Sequence, residues 1–171
     1  LHCEEDFANY TGKYIEPIKS NYRDYSVIEC PPNGQGIVAL AGLNILSNFN
    51  VGDLPPDSAE RLHLEIEATR IAYRDRSQFL GDPDYNELPI DHWLDKNTGK
   101  LYAEQINRKK RSIQVPGQLL VNHQDTVYLT VVDKDRNAVS LINSLFKSFG
   151  SGLTAPSSGI ILHSRGEGFT L

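Results

Sequence analysis

The sequence has no methionine, one tryptophan and two cysteines in 171 residues. Cys3 and Cys30 could close one bridge, but a single pair without dense spacing makes neither a disulfide framework nor a zinc knuckle, and no base adjoins either thiol in sequence. No apolar run approaches the length of a membrane span. Positive charge is also scarce: 17 Lys and Arg against 22 Asp and Glu leave a net charge of -5, the wrong sign for a chain that holds nucleic acid through its phosphates. The one basic cluster, Arg108-Lys109-Lys110-Arg111, reads as a solvated helix end. His2, His63, His92, His123 and His163 are too scattered for a metal cluster, with only His63 and Glu67 one helical turn apart, and Asp82, Asp84 and Glu87 lack the ligand spacing of a calcium loop. Neither a metal nor a cofactor is called for.

What is present is the ordinary balance of a globular domain, with 39% hydrophobic and 23% charged residues. Residues 1–31 mix aromatic and polar side chains with scattered prolines and lead into the turn-rich hinge Pro31-Pro32-Asn33-Gly34-Gln35-Gly36. A helix is expected next, because Ile37, Val38, Leu40, Ala41, Leu43, Ile45 and Leu46 are apolar almost all round the helical wheel, the pattern of a helix buried on most sides. Gly34 and Gly36 allow its first turn to approach another backbone closely. Beyond Gly52-Asp53-Leu54-Pro55-Pro56, Asp57 or Ser58 can cap a second helix running to about Arg76, with Glu60 completing a capping box with Asp57. Leu62, Ile66, Thr69 and Tyr73 form its apolar stripe, while Glu60, Glu67, Arg70 and Arg74 occupy the other faces. Gly81-Asp82-Pro83-Asp84 ends that unit, a shorter helix over Thr98 to Lys109 follows, and 112–125 reads as a loop.

The last third changes period. Val127, Leu129 and Val131 alternate with Thr126, Tyr128 and Thr130, and a second alternating run follows from Val139 to Leu145, with Asp133-Lys134-Asp135-Arg136-Asn137 between them. This is a β-hairpin pattern. A three-residue loop over 134–136 sets Asp133 opposite Asn137 and brings Thr126 opposite Ser144. After Phe149-Gly150-Ser151-Gly152, a third short strand over Ile160 to His163 is expected to join the pair.

Thr126 carries the chemistry. It opens a strand directly after the polar stretch Asn122-His123-Gln124-Asp125, where its Oγ can attack the carbonyl of Asp125. A threonine hydroxyl needs a base, and once the preceding peptide bond is cut its own α-amine, with a pKa near neutrality, can serve. Ser144 would then hold the rotamer of that nucleophile. Threonine at a strand start is also an ordinary structural arrangement, and spacing alone leaves both readings open.

The stretches Tyr22-Arg23-Asp24-Tyr25, Pro31 to Gly36, Leu62-His63-Leu64-Glu65-Ile66-Glu67-Ala68, Asp75-Arg76, Leu80-Gly81-Asp82-Pro83, Asp125 to Asp133 and Phe149 to Gly152 together resemble the γ-glutamyltranspeptidase family, in family order and over essentially the whole chain. The resemblance implies an α+β fold that is part of an N-terminal-nucleophile (Ntn) hydrolase αββα sandwich, its first two thirds helical and followed by the hairpin and a third short strand. Residues 1–125 would be the end of a large-subunit region and 126–171 the start of a small-subunit region, together one incomplete domain. It further implies a proenzyme that cleaves itself between Asp125 and Thr126, a mature large/small subunit heterodimer, and a Thr126 nucleophile that passes γ-glutamyl groups of glutathione-type amides to water or an amino acid. Ser144 matches the second hydroxyl position, commonly a threonine.

This sequence departs from the family pattern at three places. Phe146 stands where members commonly carry a substrate-binding asparagine, Arg165 at a glutamine position, and Gly168 where an aspartate holds the substrate's α-ammonium group. Arg165 could pair a carboxylate instead. The alternatives are a divergent amidase or acylase, a poly-γ-glutamate-processing enzyme on the same scaffold, or a non-catalytic structural module.

The chain opens with Leu1-His2-Cys3-Glu4, without a starting methionine or a charged-then-apolar leader, and closes at Phe169-Thr170-Leu171, so it is expected to be an internal piece of a larger protein. The resemblance places the family's oxyanion-hole glycines beyond it, so the piece alone is expected to be inactive, with its Asp125-Thr126 bond intact. Its buried-type helix and two-faced apolar hairpin ask for partners, and the isolated piece is expected to self-associate. Compartment stays open: periplasmic or secreted if it follows the better-known members, cytoplasmic if it follows divergent ones.

Overall fold

The computed structural model describes residues 3–112 and 126–168. They fall into two compact units, Leu1–Gly117 and Gln118–Leu171. Among the described residues no helix is long and apolar enough to cross a membrane.

The first unit begins with α1 (Glu4–Ala8) and an antiparallel hairpin, β1 (Ile18–Tyr22) and β2 (Tyr25–Glu29), closed by Arg23 and Asp24 with Arg23 at φ 56. This hairpin was not legible as such in residues 1–31. Its central element is α2 (Gly36–Leu46), which buries Ile37, Val38, Leu40, Asn44 and Ile45, so the helix with apolar residues all round is enclosed as expected. The close approach expected of its glycines occurs at Gly36, where an added Cβ would lie 2.7 Å from the Glu29 Cβ.

Helix α3 (Ala59–Phe79) starts on Ser58, whose Oγ accepts from the Arg61 N–H; Ser58 is the cap, not the Asp57/Glu60 box, and the helix runs to Phe79, three residues past the expected end near Arg76. Its buried face corrects the expected stripe. Leu62, Ile66 and Tyr73 are 45%, 56% and 43% exposed, whereas Leu64, Glu67, Ala68, Ile71, Ala72 and Asp75 are buried. The inward face hides two carboxylates because each is paired beside itself: Glu67 with Arg70 at 2.6 Å and Asp75 with Arg74 at 2.8 Å. The expected helix over Thr98 to Lys109 is instead α4 (Ile90–Leu94) and α5 (Lys96–Glu104). Asp95 separates them, its carboxylate accepting from the Asn97 N–H at 2.5 Å and starting α5 early. Ile45, Leu64, Ala68, Ile71, Ala103 and Ile106 form one apolar cluster, and Ile37, Val38, Ala72 and Trp93 a second.

The second unit is a hairpin, β3 (Thr126–Val132) and β4 (Ala138–Ser144), followed by loops and a 3-10 turn over Arg165–Gly168. Helices precede the hairpin in the chain, giving a mixed α+β order. The third strand expected over Ile160 to His163 does not form. Its backbone folds back on the segment just before it, with Ala155 N–H to Ile160 O at 2.8 Å, Leu162 N–H to Leu153 O at 2.9 Å, and a single bridge between Thr154 and Ile161. The intervening Pro156-Ser157-Ser158-Gly159, with Gly159 at φ 71, turns the chain too tightly for that segment to reach the hairpin edge.

Candidate active site

The hairpin turn sets the geometry. The Asp133 carboxylate accepts from the backbone N–H groups of Asp135 at 2.8 Å and Asn137 at 2.9 Å, and from Asn137 Nδ2 at 2.8 Å, and these bonds hold its pKa below the ordinary carboxylate value. Arg136 takes a left-handed conformation at φ 66, and the Asp133 N–H donates to Asn137 O at 3.0 Å. Asp133 and Asn137 therefore close the loop as expected, and every later pair follows, from Val132 opposite Ala138 to Thr126 opposite Ser144. Tyr128 and Ser140 face each other diagonally with a 3.0 Å hydroxyl contact, and bonds from Ser140 and Thr130 lower the Tyr128 pKa.

At the open end, Thr126 Oγ1 donates to Ser144 Oγ at 3.0 Å. Ser144 Oγ also accepts from the Phe146 N–H at 3.0 Å, so both hydroxyl lone pairs are occupied and its rotamer is fixed by a backbone group. Phe146 reaches that position in a left-handed conformation, φ 77, costly for an aromatic residue, and is buried. The Ser164 N–H donates to Leu145 O at 3.0 Å and brings the following turn back against the end of β4.

That return carries Arg165. Its guanidinium lies over the Phe146 ring, 5.5 Å from the centroid, with a long 3.5 Å contact to Ser144 O, and its backbone N–H donates to His163 Nδ1 at 3.1 Å. Gly168 sits at the ring edge, where an added Cβ would meet Phe146 Cζ at 3.4 Å. Glu167, between them in sequence, is ion-paired with Lys147.

Of the residues singled out in the sequence, Thr126, Ser144 and Arg165 thus share one end of the hairpin, and Phe146 and Gly168 complete the cluster. Asp125 and His123 lie outside the described residues. His63 and Glu67 do not converge: His63 Nε2 is 2.7 Å from Asn107 O, and Glu67 accepts from Arg70 and from the Ser112 N–H at 3.0 Å. Asp82 forms a turn, accepting from the Asp84 N–H at 3.0 Å. The Phe146 amide bond to Ser144 had no signal in the sequence, because nothing in a phenylalanine announces a left-handed backbone.

Chemically, the arrangement offers an accessible threonine hydroxyl oriented by a second hydroxyl, with a cation one residue away. A sequence model of the family described as Gamma-glutamyltranspeptidase matches residues 2–171. The chain is 39% identical over 167 residues to the glutathione hydrolase-like YwrD proenzyme of Bacillus subtilis, covering 98% of this chain and 31% of that protein. It is 37% identical over 175 residues to the glutathione hydrolase proenzyme of Escherichia coli, covering 99% and 30%. The Acylase ACY 1 proenzyme of a Pseudomonas species is 31% identical over 159 residues, covering 92% and 28%. Among solved structures, the cephalosporin acylase from Bacillus halodurans matches with a TM-score of 0.82 and 33% identity, over 97% of this chain and 29% of that one. The chain spans less than a third of the length of these curated relatives. Matched by the family over nearly all of its residues, it belongs to the gamma-glutamyltranspeptidase family.

Proposed function

We propose that the full-length protein containing this chain is an Ntn hydrolase of αββα type that cleaves itself before Thr126 and then uses Thr126 as its nucleophile on γ-glutamyl amides of the glutathione kind. In the first reaction Thr126 Oγ bonds to the Asp125 carbonyl carbon, the Asp125-Thr126 C–N bond breaks, and the freed α-amine takes the proton. Water then hydrolyses the ester, releasing the Asp125 carboxylate and restoring the hydroxyl. Residues up to 125 and from 126 onward thereby fall into a large and a small subunit.

In the second reaction the new α-amine accepts the Oγ proton as Oγ attacks the amide carbon. The amide C–N bond breaks, the leaving amine departs with that proton, and the acyl ester passes to water or to an acceptor amine. Ser144 acts as a positioning residue for Oγ. The observation that supports this reading is the 3.0 Å bond between Thr126 Oγ1 and Ser144 Oγ, set by the hairpin register. An oxyanion hole is required in addition, worth about 10²–10³ in rate per donor, and it would come from elsewhere in the full-length protein.

The test is the full-length protein with Thr126→Ala. Intact-mass measurement is expected to show two chains split before Thr126 in the wild type and one unbroken chain, without turnover, in the variant. A variant that still splits and turns over sinks the assignment. A second reading, an acylase on the same scaffold, is favoured by the Phe146 and Arg165 pair, whose chemistry differs from that of a γ-glutamyl ammonium site.

A further inference from the structure

The four consecutive cations Arg108-Lys109-Lys110-Arg111 do not end a helix. Helix α5 stops at Glu104, Ile106 is buried in an apolar cluster, and residues 107–111 are exposed. A basic run on the surface and outside regular structure is what a protease of trypsin specificity cuts.

Both ends of this run are tied to one flank of α3, where His63, Glu67 and Arg70 stand at i, i+4 and i+7. At the near end His63 Nε2 lies 2.7 Å from Asn107 O, and Asn107 Oδ1 accepts from the Lys109 N–H at 2.9 Å. At the far end an ion pair holds both backbone groups of Ser112. Glu67 Oε2 accepts from its N–H at 3.0 Å, Arg70 Nη2 donates to its carbonyl at 3.0 Å, and Arg70 Nη1 meets Glu67 Oε1 at 2.6 Å. Glu67 is 1% exposed, so opening this clasp leaves a buried carboxylate short of a partner.

A protease takes its substrate as an extended strand that runs on beyond the cut on both sides. Only the four cations lie between the anchors at Asn107 and Ser112, too few to extend while both hold. Cutting therefore waits for the clasp to open, and its rate follows the open population.

We propose that residues 107–112 are a strap, and that the His63-Glu67-Arg70 flank of α3 keeps it closed and so withholds a trypsin-type cutting site. In the open form water hydrolyses the peptide bond after one of the four cations, leaving a carboxylate on that residue and an amine on the next. Such a cut severs the chain ahead of the Asp125-Thr126 junction. The proposal does not depend on Thr126 being the nucleophile, and its test reads neither self-cleavage nor turnover.

The experiment is limited trypsin digestion of the full-length protein, with fragments mapped by mass, beside a synthetic peptide of residues 105–115 under the same conditions. The wild type is expected to be cut after residues 108–111 at least about 100-fold more slowly than the peptide. Glu67→Ala removes the countercharge and the Ser112 acceptor together and should speed that cut roughly 10- to 100-fold. Arg70→Lys, whose single ammonium replaces a two-pronged fork, should fall between. Hydrogen exchange of the Ser112 amide should quicken in both variants in step with the cutting rate.

Wild-type cutting at the rate of the peptide overturns the proposal, and so does a rate that neither substitution changes. A Glu67→Ala protein cut throughout its length has lost its fold, and Arg70→Lys then decides. Faster cutting confined to residues 108–111 supports the strap, whereas cutting at the wild-type rate or spread along the chain removes it.

Discussion

Replacing Ser144 by alanine separates what its hydroxyl does for folding from what it does for chemistry. The Oγ accepts two bonds, from Thr126 Oγ1 at 3.0 Å and from the Phe146 N–H at 3.0 Å. Thr126 is exposed, so water takes over its lost bond at little equilibrium cost. Phe146 is buried, and its amide left without that acceptor costs about 1–3 kcal/mol. The kinetic effect is larger than orientation alone provides. Three staggered χ1 wells give at most about a threefold loss from a freed Thr126 rotamer. Loss of the hydrogen bond that also fixes the distance from Oγ to the carbon it attacks brings the total to roughly 10- to 100-fold. The assay is the full-length protein followed by intact mass for the rate of self-cleavage and by donor turnover for kcat, with a denaturation midpoint as the folding control. Ser144→Thr keeps the acceptor and should restore all three readouts. If Ser144→Ala cleaves and turns over at the wild-type rate, the hydroxyl pair is a bystander and the geometric case for Thr126 fails.

Two further outcomes test the surrounding structure. Asn44 is almost wholly buried, with Oδ1 accepting from Ser20 Oγ at 2.5 Å and Lys96 Nζ at 2.6 Å and Nδ2 donating to Leu94 O at 2.9 Å, so it ties β1, α4 and α5 to α2. Asn44→Ala should cost about 2–4 kcal/mol by equilibrium denaturation, and a loss under about 0.5 kcal/mol would show that the network is not structural. Asp133 has its pKa depressed below 3.8 by bonds made only in the folded turn, so its contribution is present above the unfolded pKa and is lost as pH falls through the lower folded value. The Asn137 amide resonance should titrate with a midpoint below 3.8, and a midpoint at or above it would refute the turn geometry.

The hairpin that carries the candidate site could be read from the sequence because two independent local signals agree. Period-two alternation marks both strands, and Asp133 and Asn137 supply the polar groups that a three-residue loop consumes. Register then follows by counting, and Thr126 meets Ser144 without any tertiary information. The first hairpin gave no comparable signal. Its turn residues, Arg23 and Asp24, include no glycine or asparagine even though Arg23 takes φ 56, and its strands Ile18–Tyr22 and Tyr25–Glu29 carry few apolar residues.

Helix α3 shows why periodicity fails where charge is buried. A helical wheel treats Glu67 and Asp75 as solvent-seeking and turns the helix to face Leu62, Ile66 and Tyr73 inward. The packed face instead holds those two carboxylates among Leu64, Ala68, Ile71 and Ala72, because Arg70 and Arg74 supply the countercharge from the same helix and the Ser112 N–H adds a second partner to Glu67. The same reasoning governs the candidate site. Arg165 is singled out in the sequence by its departure from the family pattern; what gives it a direction is Phe146, whose left-handed backbone no pattern of hydrophobicity encodes. Charge placement therefore had to come from the fold, whereas the candidate nucleophile is announced by the sequence.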